Sequence, residues 1–432
     1  MAGGRAGPGK AMTMDRRAFL ASAVAAALAP LPGARAAAKA QVVVVGGGYG
    51  GATAARYLRL WSGNAIDVTL VEPQSAFVSC PLSNLVLGGS RTMADITVPY
   101  DALARRHGIR LARDRAVAID PSQRQVRLAG GQRLHYDRLV LSPGVDMLSA
   151  ELPGLAGPGG DQVLHAWHAG PQTAALRRQI EAMPDGGTVA ITIPLAPYRC
   201  PPGPYERACQ VANYLKQHKP RSKVLVLDAN PDITSKAELF RRVWATQYAG
   251  LIEYRPQYTT IDVDPATHTL KFDVQDDERA DVLNVIPGQR AGAIAVAAGL
   301  ATANGRWCEV DFLTHASTVA PDIHVLGDAI QIAPLMPKSG HMANQHGKVA
   351  AAAIVAMLSG QAPDPEPLYT NTCYSFTSDR EAMHIASVHR YDAGERTMLA
   401  VPGAGGLSAA PNVREGELGL AWAKSIWADM LS

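Results

Sequence analysis

Cysteine is scarce in this chain: five in 432 residues, at positions 80, 200, 209, 308 and 373, with no CxxC among them. That excludes a disulfide scaffold and argues against a structural zinc site or a thioredoxin-like motif, so no metal site is expected. Any cysteine chemistry must be assembled by the fold. Excess charge of either sign is lacking too. The balance of 41 basic against 38 acidic residues gives +3, and residues 1–36 hold five basic residues but one acidic one, Asp15. The remainder is nearly neutral, which gives no electrostatic case for binding nucleic acid or an anionic membrane. Aromatic residues make up 6%, and no stretch reaches the roughly 18 uninterrupted apolar residues that a membrane span requires. What remains, 47% apolar and 18% charged, is the composition of a folded globular chain. Its length exceeds what one core serves, so two or three domains are expected.

The N-terminus reads as an address. Arg16-Arg17 precedes a 14-residue alanine-rich apolar stretch, Ala18 to Leu31, that ends in Pro30, Pro32 and a small-x-small site, Ala34-Arg35-Ala36. Residues 1–36 therefore read as a bacterial twin-arginine signal peptide, with the mature chain starting near Ala37 and a periplasmic destination. Proteins exported this way cross folded, often because a cofactor is inserted first.

After it, Gln41 to Val45 is a β-branched run that enters Gly46-Gly47-Gly48-Tyr49-Gly50-Gly51, followed by a helical stretch from Ala52. Gly46, Gly48 and Gly51 fit GxGxxG, and a second apolar run, Asp67 to Val71, ends in Glu72. Strand, glycine turn, helix and acidic residue stand in the order of a dinucleotide site, with Glu72 placed to accept hydrogen bonds from a ribose. FAD and NAD share this fingerprint, so the choice rests on later segments. Tyr136 to Gly144 resembles the strand and turn by which two-dinucleotide-domain flavoproteins leave their FAD domain. Ile323 to Ala329 resembles their second FAD motif, a strand ending in Gly327-Asp328 whose carboxylate holds the ribityl chain. A helix starting at Ser339-Gly340 would then point its N-terminus at the flavin, assisted by Lys338.

Thr188 to Ile193 and Lys223 to Asp228 look like paired strands of a second βαβ unit. The turn after the first holds five prolines in residues 194–204 where a nicotinamide site would carry glycines. Proline has no N–H to offer a phosphate and its fixed φ prevents the tight turn, so this domain is expected not to bind NAD(P)H. Cys200 sits in that loop. Cys80 has no second cysteine five residues on, where Leu85 stands, and cannot cycle a disulfide locally. Cys200 and Cys373 lie in loop-like sequence, whereas Cys209 and Cys308 read as buried small hydrophobes.

The chain resembles the flavoprotein subunit of flavocytochrome c sulfide dehydrogenase. The resemblance is carried by the glycine turn, Ser79-Cys80-Pro81-Leu82-Ser83-Asn84, Pro197 to Arg207, Met336 to Ser339 and Tyr369 to Tyr374, and it covers nearly all of the mature chain. It implies an α/β fold of two Rossmann-like dinucleotide-binding domains, the FAD domain being discontinuous, plus a C-terminal α+β domain. The expected bounds are 37–150 with 286–360 for FAD, 151–285 for the second domain, and 361–432. It implies FAD carried covalently through Cys80, and a redox-active Cys200–Cys373 disulfide attacked by hydrosulfide. Glu206 and Trp427 would line that pocket, with Trp422 competing for the second place. It implies electron transfer to a c-type cytochrome subunit that holds the haem c, in a heterodimer. Sulfide:quinone oxidoreductase and a non-enzymatic flavoprotein accessory of sulfur oxidation are the alternatives.

Overall fold

The computed structural model describes residues 39–432, so the twin-arginine segment lies outside the described residues. The valine run forms the strand Gln41–Val45, which pairs in parallel with Asp67–Val71 on one side and Arg138–Leu141 on the other. Arg110–Ala112 and Ile323–Val325 extend the sheet at its two edges, again in parallel. Val42 and Val44 pack with Leu58, Leu326 and Ala343, while Val43 and Val45 enter the opposite core with Leu141, Trp307 and Val325. Successive side chains of a strand point to opposite faces, and both faces here are covered. That is why the sequence shows an uninterrupted apolar run instead of an alternating one.

The chain leaves the first strand at Gly46, whose φ of +95° only glycine adopts freely, and turns into the helix Tyr49–Trp61. Five residues later the helix comes so close to the turn that a Cβ on Gly51 would lie 1.9 Å from the Gly46 carbonyl oxygen. The helix Gly340–Leu358 packs beside it and is capped by Ser339, whose Oγ accepts from the Met342 N–H at 3.0 Å.

Thr188–Ile193 centres a second parallel sheet, flanked by Lys223–Asp228 and Val282–Val285, with Ile252–Pro256 at one edge. Its helix Gly203–His218 begins directly after the proline loop. The strands Leu368–Phe376, Ala382–Asp392 and Thr397–Leu407 form an antiparallel sheet, followed by the helix Val413–Leu431. The fold is thus the mixed α/β class expected, with two parallel sheets and a C-terminal α+β part. Among the described residues no helix is long and apolar enough to cross a membrane.

The glycines of the turn differ in what they tolerate. A Cβ at Gly51 meets backbone, whereas one at Gly48 meets nothing within 4 Å. In thermal melts Gly51→Ala should lose roughly 1–3 kcal/mol by overpacking, and Gly48→Ala under about 1 kcal/mol. Equal losses would show that the close approach at Gly51 does not hold the turn.

Candidate functional site

The C-terminal ends of the first sheet's strands open onto a cavity of about 510 Å³. Gly48 and Gly50 of the turn line it, with Glu72 at one end. The Glu72 carboxylate accepts from the Gly47 N–H at 2.9 Å and the Gln74 N–H at 3.0 Å, which fixes the turn and its acidic neighbour as one unit. Gly46 and Gly51 stand behind this wall. Gly46 shapes the bend, and Gly51 allows the helix to pack on it.

Further along, Gly327, Asp328 and the first helical residue Gly340 line the same cavity. Asp328 Oδ1 is buried and has no hydrogen-bond partner among the described residues. Burial pushes this carboxyl's pKa up, while Arg199 and Lys338 pull it down. A buried acceptor without a donor is costly, and a ligand hydroxyl would satisfy it. Glycine turn, ribose-type carboxylate, unpaired Asp328 and helix N-terminus together fit FAD. Lys338, expected to face the flavin, does not line this cavity. Its ammonium donates to the carbonyls of Asp328 (2.9 Å) and Ile330 (2.5 Å) and stands 3.8 Å above the Trp307 ring. An ammonium buried this deeply takes the backbone acceptors within reach and braces the Gly-Asp turn from behind.

Three cysteines reach the cavity: Cys80, Cys200 and Cys373. The Cys80 sulfur accepts from the Ala169 N–H at 3.4 Å. Cys200 is held by its own N–H, which donates to the Lys338 carbonyl at 2.8 Å, and its carbonyl accepts from Gly203 N–H at 2.8 Å. Its φ of +58° is the left-handed region, a conformation that costs a non-glycine residue about 1–3 kcal/mol and persists only where the surroundings impose it. Gly203 leaves the space that Cys200 needs, since a Cβ there would lie 2.9 Å from the sulfur. Burial raises the Cys200 thiol's pKa, and Cys373 and then Glu206 push it further up. Cys373 lies on the strand Leu368–Phe376 and hydrogen-bonds with Asn371, two residues earlier on the same strand. All five cysteines are free thiols here, so the expected Cys200–Cys373 bridge is not formed in this structure, although both sulfurs line one cavity. Cys209 and Cys308 are fully buried in separate cores, and Cys209 accepts from the Trp244 indole N–H at 3.2 Å.

Glu206, 7% exposed, lines the cavity beside Cys200. Its carboxylate accepts from Phe376 N–H (2.9 Å) and Asn84 Nδ2 (3.0 Å), and burial pushes its pKa up despite those bonds. The other expected wall residue is corrected. Trp427 faces inward, 9% exposed, and its indole N–H donates to the Tyr49 hydroxyl at 3.1 Å, while Trp422 lines the cavity. Five residues along a helix rotate the side chain by about 140°, so the two tryptophans cannot share a face. Trp427 supports Tyr49, which itself lines the cavity, from behind.

Several contributors were not singled out from sequence. Arg207 is buried and spends its N–H groups on Asn84, His165, Ala166 and Asn284. Asn84 lies in the Cys80 segment and Arg207 in the Cys200 segment, so the signal was adjacent. Lys236, buried behind Cys373, follows a loop with no motif.

Comparison with known families agrees with this geometry. Residues 173–287 match the family described as sulfide dehydrogenase (flavocytochrome c) flavoprotein chain, central, and 365–431 match flavocytochrome c sulphide dehydrogenase, flavin-binding. Residues 40–182 match pyridine nucleotide-disulphide oxidoreductase. The sulfide dehydrogenase flavoprotein chain of Chlorobaculum thiosulfatiphilum is 63% identical over 46 residues, covering 11% of this chain and 94% of that one. A mitochondrial sulfide:quinone oxidoreductase of Dictyostelium discoideum is 26% identical over 184 residues, 43% of this chain and 40% of that relative, so the chain spans less than half of it. The solved sulfide:quinone oxidoreductase of Aquifex aeolicus shares the fold, with a TM-score of 0.74 at 19% identity over 91% of this chain and 92% of that one. By the match that spans nearly all of the Chlorobaculum relative, with the two family matches beside it, the chain belongs to the oxidoreductase family of flavocytochrome c sulfide dehydrogenase flavoprotein chains.

Proposed function

We propose that this chain is a periplasmic, FAD-dependent sulfide dehydrogenase subunit that delivers electrons to a c-type cytochrome partner holding haem c. The observation that carries the reading is that Cys80, Cys200, Cys373 and Glu206 line the same cavity as the glycine turn and Asp328. The location rests on the twin-arginine segment, and the partner on the family. Domain bounds of 37–150 with 286–360, 151–285 and 361–432 are the working division, supported by the three sheets.

Gly48, Glu72, Gly327, Asp328 and Gly340 would hold FAD, with Cys80 as its covalent anchor. When bound, FAD supplies a two-electron acceptor beside the thiols that can be discharged one electron at a time. Cys200 and Cys373 form the disulfide on oxidation. Hydrosulfide attack on one sulfur makes an S–S bond to it and breaks the bridge, leaving a persulfide on one cysteine and a thiolate on the other. Glu206 takes the proton of the incoming sulfur nucleophile. The proline loop, lacking N–H groups for a pyrophosphate, leaves nicotinamide dinucleotides without a role.

The test is anaerobic bleaching of the flavin by sulfide, followed by reoxidation with cytochrome c or with a quinone. Cytochrome reduction is expected; quinone as the sole competent acceptor would favour the alternative reading, and no bleaching would remove both. Cys200→Ser or Cys373→Ser should slow bleaching more than about a hundredfold with FAD retained. Cys209→Ser and Cys308→Ser should stay within about a few-fold, since their sulfurs serve packing.

Acid denaturation should leave the yellow colour on the polypeptide, and Cys80→Ala should release it to the supernatant. Free flavin from the unmodified protein would rule out covalent attachment.

Glu206 works as a proton acceptor only when ionised, and burial raises its pKa above the ordinary 4.5. Sulfide-driven bleaching should therefore rise with pH through a limb above the usual carboxylate range, and Glu206→Gln should flatten that limb. The stability effect has the opposite sense. The folded form holds the proton more tightly than the unfolded chain, so the contribution is full below the ordinary value and is lost as pH rises through the raised one.

A further inference from the structure

Lys236 has no part in the chemistry so far, yet its ammonium is buried against the strand that carries Cys373. The residue is 6% exposed and sits at φ +57°, immediately before the helix Ala237–Thr246. Its Nζ donates to the Cys373 carbonyl and to the Ser375 hydroxyl, each at 2.8 Å. Both acceptors are neutral, and no carboxylate forms an ion pair with it among the described residues. A buried cation needs an anion nearby, because hydrogen bonds to neutral groups replace only part of its hydration.

The groups that face it come from four elements. Cys373 acts on it most strongly, then Glu206, Cys200 and Glu415. Glu415 of the last helix is engaged with Ser408 and with His384 of the neighbouring strand. Glu206, the proton acceptor of the sulfide step, already accepts from the Phe376 N–H and from Asn84. The other cations on the cluster are committed elsewhere. Arg199 donates to the Trp167 carbonyl, and Arg207 to Asn84, Asn284 and two carbonyls. The thiols remain as the anions that Lys236 can balance, and the strand that carries Cys373 is the one it grips.

We propose that Lys236 is a positioning residue that places the negative charge of the thiol pair on Cys373. The proposal rests on the sulfide dehydrogenase reading and sharpens it. Hydrosulfide attacks the Cys200 sulfur, the Cys200–Cys373 bond breaks, and its electron pair leaves on the Cys373 sulfur. The products are a Cys200 persulfide and a Cys373 thiolate, with the single negative charge conserved and no net oxidation in that step. The ammonium that grips the Cys373 carbonyl then offsets the negative charge left on that residue's sulfur. Burial lowers the lysine's own pKa to about 8, so the cation is present at neutral pH and fades above that.

The test measures alkylation of each thiol in the reduced holoprotein by iodoacetamide across pH, with the Cys200 and Cys373 peptides quantified by mass spectrometry. In the unmodified protein Cys373 should be alkylated at the lower pH; equal midpoints or the reverse order would overturn the proposal without any variant. Lys236→Gln keeps a donor for Cys373 and Ser375 but removes the charge. It should raise the Cys373 midpoint by about one unit, a roughly tenfold slower reaction near neutrality, and leave Cys200 less affected. Lys236→Arg should restore most of the shift. An unmoved midpoint in Lys236→Gln, or failure of Lys236→Arg to restore it, would overturn the assignment. If sulfide fails to bleach the unmodified flavin while the Cys373 midpoint follows the charge at position 236, the sulfide reading falls and the charge assignment stands.

Discussion

A guanidinium taken out of water must have its N–H groups accepted, and Arg207 meets that demand by drawing four segments together. Its Nε donates to Asn84 in the Cys80 segment, its Nη atoms donate to the His165 and Ala166 carbonyls and to Asn284 of the second sheet, and it stacks on Trp167. Arg207 itself belongs to the helix that follows Cys200. One buried charge thus fixes the Cys80 segment, the 165–167 segment, the second sheet and the Cys200 helix relative to one another. Charge-assisted bonds of this kind are among the stronger ones, and breaking the set would leave an uncompensated cation. Asn84 couples this cation to its neighbour of opposite sign, accepting from Arg207 through Oδ1 and donating to Glu206 through Nδ2.

The site that results is polar at its centre and apolar around it, a combination that costs stability and tunes reactivity. Cys200, Glu206 and Lys236 each have a pKa moved toward the neutral form, and burial is the leading cause in all three. Each of those groups then depends on the others for its charge. Removing water from the cavity wall therefore does two jobs at once: it makes every pairwise interaction stronger, and it makes the protonation state of one group a function of its neighbours.

How much of this could be read in the chain depended on whether the determinant was local. The strands at 41–45, 188–193 and 223–228, and the helix start at Ser339-Gly340, follow from residue patterns a few positions long, and they stand where those patterns put them. The glycine turn was legible because its steric demands act within six residues. That Trp427 and Lys338 do not line the cavity could not be read for the opposite reason. Which of two helical tryptophans faces a cavity depends on the helix's rotation against Tyr49, and a lysine near a cofactor motif can spend its ammonium on carbonyls behind the wall. Lys236 left no mark at all in sequence, since its acceptors lie 137 and 139 residues away.

The two parallel sheets put the same topological position to different uses. Where a chain leaves the carboxyl end of a parallel strand, the turn faces the crevice in which α/β folds bind ligands. After Val45 that turn is glycine, offering backbone close to a ligand. After Ile193 it is proline-rich, and proline removes the N–H groups that would hold phosphate while restricting φ at four of the eight positions from 197 to 204, namely 197, 201, 202 and 204. A loop so restricted has little entropy left to lose on folding, which offsets part of the cost of holding Cys200 in the left-handed region. Its backbone then bonds across to Lys338, the residue before the helix cap of the first domain. The loop thus presents a sulfur to the cavity at the end of the first sheet, and the second sheet keeps its parallel pairing with a proline turn where the first has glycine.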